Sequence, residues 1–153
     1  MTAMAASPGN KRALVMLTVI AAPFALGFET VMRMVVFPPE FEEVRSLLGP
    51  TLTLAAWTLP VVCLVAAVAG VVFQRRLVAR ALRKLPADRQ DDAASQEKAR
   101  VGAFLLAASV PQVPAIVATV LFTFGASLVP VLVTVAVSTL GVVAQVGRAL
   151  ATR

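Results

Sequence analysis

Glu29 and Arg33 stand four residues apart in a segment that is otherwise apolar. On a helix that spacing puts both side chains on one face, where carboxylate and guanidinium can neutralise each other. Charge inside a bilayer is costly and usually paired or functional. Two chemistries therefore fit: a proton or substrate site at Glu29, or a self-contained ion pair with Arg33 snorkelling to a membrane surface. Position favours the second, because only Met34, Val35, Val36 and Phe37 separate Arg33 from Pro38-Pro39. The other polar groups in apolar surroundings are amides and hydroxyls: Ser109, Gln112, Thr119, Ser138 and Gln145. These can hydrogen-bond across helix contacts or line a polar path, but none releases a proton at accessible pH.

Catalytic and metal chemistry finds little to work with. The chain has no histidine, which removes the commonest metal ligand and any Ser-His or Cys-His arrangement. Its one cysteine, Cys63, cannot form an intramolecular disulfide and reads as a small packing residue. Ser109 and Ser138 lack a base, and no Asp lies in an apolar stretch. No catalytic residue, metal site or cofactor is expected, and the chain does not read as an enzyme.

The elements that position these groups are set by hydropathy. From Val101 to Gly147 no residue is charged, and about twenty apolar residues already cross a bilayer core. That stretch breaks at Gly125-Ala126-Ser127, with Pro130 just beyond. A second uncharged stretch runs from Ser46 to Gln74. With 59% hydrophobic and 14% charged residues, the chain falls in the membrane class. In hydrocarbon, segments of this length must be helices, because backbone groups are satisfied within the segment. The expected fold is all-α and polytopic, with four transmembrane helices over about 13–36, 51–73, 101–124 and 128–147. Pro111 and Pro114 should kink the third beside Gln112.

The net charge of +6 is distributed tellingly. Of 14 lysines and arginines, all but Arg33 and Arg45 lie before the first span, between the second and third, or after the fourth. Four crossings put those three segments on one side, and basic residues mark the cytoplasmic side. Both termini are expected inside, in the inner or plasma membrane. Residues 1–12 read as a flexible cytoplasmic tail, 74–100 as a basic cytoplasmic helix and loop, and 38–50 as an acidic outer loop. Residues 13–153 then form a single four-helix domain. Glu29 and Arg33 follow the first apolar segment where a cleavage site would lie, so no cleaved signal peptide is expected.

At about 100° per residue, each span shows a small or polar stripe. The first carries Thr18, Ala22, Ala25, Glu29 and Arg33, and the second Cys63, Ala66, Ala67, Gly70 and Gln74. The third carries Ser109, Gln112, Thr119 and Thr123, and the fourth Thr134, Ser138, Gly141 and Gln145. Small residues let helices approach, and hydroxyls and amides bond across them for ~0.6–2 kcal/mol. Gly70, Ala66, Gly141 and Ser138 are the expected packing positions. Beyond the second span, Arg75, Arg76, Arg80, Arg83 and Lys84 continue a helical pattern suited to anionic lipid headgroups. No aromatic residue accompanies them, so nucleic acid is not an expected partner.

Residues 66–124 resemble the helical hairpin of the rotary ATPase proteolipid, subunit c. The matching elements are Ala66-Ala67-Val68-Ala69-Gly70, the loop Arg83-Lys84-Leu85-Pro86, and Leu105 to Pro114. Gln112 falls where that family's ion-binding carboxylate would stand, beside proline. The glycine-repeat helix is missing, the loop is longer, and the first and fourth spans are additional. The resemblance implies a hairpin that assembles without moving protons. The leading functional expectation is a non-enzymatic membrane protein acting by assembly, as subunit, scaffold or homo-oligomer. The competing one is a small transporter or channel along Glu29, Arg33, Gln112 and the Thr/Ser stripes.

Overall fold

The computed structural model describes residues 8–86 and 92–151, with side chains from 16 to 147 except in the 87–91 gap. All described regular structure is helical: α1 (Pro8–Val35), α2 (Glu40–Ala56), α3 (Leu59–Arg83), α4 (Ala93–Ser109), α5 (Gln112–Thr123) and α6 (Leu128–Ala151). They form four units long and apolar enough to cross a membrane: Met16–Val35, Glu40–Arg83, Ala93–Thr123 and Leu128–Gly147.

Proline explains why six helices make four units. Pro60 has no N–H for the Ala56 carbonyl, so the ladder lapses at Trp57-Thr58 between α2 and α3. Pro111 likewise withholds a donor from Ala107, whose carbonyl instead accepts from the Val110 N–H at 3.3 Å. The helix is interrupted there, beside Gln112, at the position where a kink is expected.

One expectation is corrected. Residues 38–50 do not form an open loop: the chain is helical from Glu40 onward. Pro39 sits at the cap, and Glu40, Glu42 and Glu43 fill the first turn, where carboxylates offset the helix dipole. The basic stretch after Gln74 is helical through Arg83, as expected, and α4 begins at Ala93, ahead of the span expected from about 101. Its N-cap is Asp92, whose carboxylate accepts from the Ala94 and Ser95 N–H groups. Residues 1–7 of the expected tail lie outside the described residues, while 8–12 begin α1.

Helix α6 is central, packing on α3, α5 and α1. Helix α3 also packs on α4, closing a hairpin, and α1 lies against α5 and α6. Ala22, Leu26, Ala115, Ala118, Phe122, Val131 and Val135 fill the core toward the α5–α6 turn. Phe104, Ala108 and Val142 fill it toward the other end. Large apolar side chains face outward along every unit, as with Met34, Leu54, Phe24, Val65 and Leu140.

Candidate functional site

The seam between α3 and α6 gathers most of the polar groups expected to face inward. Cys63, Ala67, Gly70 and Gln74 meet Thr134, Ser138, Gly141 and Gln145, and all but Gly141 are buried. The approach is close. A Cβ on Gly141 would stand 2.7 Å from the Ala67 Cβ, and one on Gly70 2.6 Å from the Gln145 Nε2. Gln145 is fully buried, and neither amide atom has a hydrogen-bond partner. The Cys63 thiol donates to the Pro111 carbonyl at 3.3 Å, and the Thr134 hydroxyl to its own helix at Pro130.

In the third unit the polar stripe and the buried face differ. Ser109 is exposed and bonds back to Leu106, while Thr119 is buried and Gln112 half-buried. The face that packs is made of Ala103, Ala107, Ala108, Pro111, Pro114, Ala115 and Ala118. Ser109 lies opposite it. Thr119 and Thr123 donate to Ala115 and Thr119 in their own helix, so their protons are already used. Gln112, which the proteolipid resemblance sets at the carboxylate position, donates from Nε2 to the Thr18 carbonyl at 2.7 Å. It ties α5 to α1.

Glu29 and Arg33 do not pair. The Arg33 guanidinium lies 4.7 Å from the Phe122 ring centroid, a cation–π contact. Glu29 Oε1 is buried and has no hydrogen-bond partner. Phe122 from α5 thus offers Arg33 a ring face that the i, i+4 rule could not foresee.

Arg45 is the residue that sequence reasoning passed over. It is 4% exposed, with Nη1 bridging Glu42 at 3.1 Å and Nη2 facing the Phe122 carbonyl at 3.4 Å. Its Nε is buried without a partner. A single face of α2 explains its position: Arg45, Gly49 and Thr53 recur every four residues and rest on the α5–α6 turn. There the Ser127 N–H donates to Thr53 Oγ1 at 2.9 Å. Gly125 has φ +115°, and a Cβ on it would stand 2.5 Å from the Arg45 carbonyl oxygen. The available signal was a lone arginine three residues after Glu42.

Arg33 and Arg45 line one cavity of about 580 Å³ at this end of the bundle, with Thr30, Glu42, Phe122 and Ser127. At the opposite end, Arg75, Arg76, Arg80, Arg83 and Lys84 are all exposed, and Arg83 lines a recess with Leu82, Leu85 and Gln96. Among the described residues, no cluster of His, Cys, Asp or Glu could hold a metal ion. No protein-family model matches this chain, and no curated protein or solved structure shows significant similarity to it.

Proposed function

We propose that this chain is a non-enzymatic multi-pass protein of the inner or plasma membrane that works by assembly with another membrane component. Both termini and the 74–100 segment lie in the cytoplasm. The observation that carries this reading is the division of surfaces. Small residues are spent inside, at Ala67–Gly141 and Gly70–Gln145, while Leu, Val, Met and Phe face outward. Such an apolar belt suits lipid or a membrane partner, and in water it would aggregate. The basic distribution supports the orientation, and the exposed arginines after Gln74 suit anionic headgroups. The proteolipid resemblance belongs to the same reading, with the Gln112 amide held by α1 in place of an ionisable group.

Native mass spectrometry of chemically cross-linked native membranes tests it. A defined complex heavier than one chain is expected, as homo-oligomer or with a partner subunit. A chain that stays monomeric in its own membrane refutes assembly. Reporter fusions at each terminus test the orientation, and an external signal from either refutes it.

A second reading, a small transporter, draws on one observation: the buried, unpartnered Glu29 Oε1 one turn from Arg33. In that case Glu29→Gln abolishes flux in proteoliposomes while mass and insertion stay unchanged.

A further inference from the structure

Arg33 and Arg45 are the two basic residues that depart from the charge distribution, and the fold brings both to one cavity. They converge on a single residue, Arg33 over the Phe122 ring and Arg45 toward the Phe122 carbonyl. Arg45 is 4% exposed, yet its Nε has no acceptor. That N–H lies beneath the surface, but a guanidinium desolvated to this degree still favours a further anion beside its Nη groups, because one exposed carboxylate balances it poorly. Its ion-pair partner, Glu42, is 70% exposed and sits at the rim. The lining therefore holds two guanidiniums against one carboxylate. Ser127 and Leu128 add the start of α6, whose first N–H groups favour negative charge.

We infer that this groove binds the phosphate of an anionic phospholipid from the outer leaflet. Guanidinium is the group suited to phosphate oxygens, which it can meet with two parallel N–H bonds. A lipid source follows from the rest of the lining. Met34, Phe122 and Leu128 form an apolar wall beside the cationic groups, and α1 and α2 make no extended contact that would close the groove between them. Met34 is 80% exposed, so the wall continues onto the outer belt where an acyl chain runs. The outer-leaflet assignment rests on the proposed orientation, while the arginine–phosphate contact does not.

The cytoplasmic arginines also attract anionic lipid, so the test separates the two ends. Protein carrying R75Q, R76Q, R80Q and R83Q is purified and titrated with phosphatidylglycerol in native mass spectrometry, which counts bound lipid and chain number independently. One tightly held phosphatidylglycerol per chain is expected in this background. Adding Arg33→Gln should weaken it at least tenfold, and Arg33→Lys, which keeps the charge but not the paired N–H groups, should fall between the two. Ser127→Asp puts a carboxylate beside the arginines at a position where Asp caps a helix well. It should expel the lipid without loss of folding, even if Arg33→Gln misfolds. Unchanged lipid retention in Ser127→Asp overturns the proposal. So does equal retention of phosphatidylcholine, or displacement of the lipid by millimolar inorganic phosphate, which would make a soluble anion the ligand. Failure of assembly alone leaves the lipid count intact and refutes only the preceding reading.

Discussion

The Ala67–Gly141 contact makes a quantitative forecast that no sequence pattern supplies. A Cβ at position 141 would stand 2.7 Å from the Ala67 Cβ, but 3.6 Å from its Cα and 3.7 Å from the Pro111 Cβ. Carbon atoms at rest sit about 3.5–4.0 Å apart. The conflict in Gly141→Ala is therefore with one methyl group, and both helices must give by roughly 1 Å. Overpacking of this kind costs about 1–3 kcal/mol. Against that, alanine gains about 1 kcal/mol over glycine in a helix. The net destabilisation should be near 1 kcal/mol. Ala67→Gly alone loses about 1 kcal/mol of helix propensity. Combined, the methyl moves from one wall of the seam to the other, and the remaining neighbours are already at ordinary contact distance. The double variant should lie within about 0.5 kcal/mol of the parent, where additive behaviour gives about 2 kcal/mol. Sodium dodecyl sulfate titration in mixed micelles, followed by circular dichroism, measures all four corners of the cycle. Additivity within error would mean that α3 and α6 do not meet at this point.

Other outcomes follow from single contacts. Gln112→Leu removes the 2.7 Å bond to Thr18 and should cost ~0.6–2 kcal/mol, with faster amide exchange confined to α1; unchanged exchange there would refute the tie. Gly125→Ala meets both a positive φ and the Arg45 carbonyl 2.5 Å away. It should destabilise by about 2 kcal/mol or more and yield little monodisperse protein, and a variant with normal stability would refute the turn geometry. Gln145→Met keeps the volume of a fully buried side chain while removing two unpartnered polar atoms. It should raise stability by about 1–3 kcal/mol in the same titration; a fall would show that the amide has a partner.

The four apolar units were legible because their signal is additive over many residues: hydropathy sums along a segment and needs no tertiary context. The break at Pro111 was legible for a similar reason, since a proline acts on its own ladder, whereas the one before Pro60 falls inside a span read as continuous. What escaped was set by contacts between distant segments. Arg33 leaves Glu29 because Phe122, on another helix, presents a ring. Ser109 shares a helical stripe with Gln112, yet the neighbours pack against the alanine face, so Ser109 points outward. Helix α2 was different, because its signal was present. Three glutamates after Pro38-Pro39 look like loop composition, but they also make a good first helical turn. Arg45 was visible as an isolated cation, and only the fold shows that it shares a cavity with Arg33.

Under the proposed assembly in a membrane, the location of the small residues constrains which faces can meet a partner. In a ring built on the proteolipid plan, the small face of the second span would meet a neighbouring subunit. Here that face is occupied from within: a Cβ on Gly70 would lie 2.6 Å from Gln145 and 3.5 Å from the Ala107 carbonyl. The face of α3 left for a partner carries Val61, Val65, Val68 and Val72, each more than half exposed. β-branched side chains hold helix axes apart and offer no polar bond, so they give weak specificity in lipid. Selective contacts must then come from the ends of the bundle, where polar groups are available. One end presents the exposed arginines of α3 beside Gln96. The other presents Glu40, Glu42 and Glu43 in the first turn of α2, with Glu42 at the rim of the arginine-lined groove. A partner that reads this chain specifically should therefore bear charge at the membrane surface, and its binding should weaken with salt over the range that screens exposed charges. Salt-insensitive assembly would return the interface to the valine face.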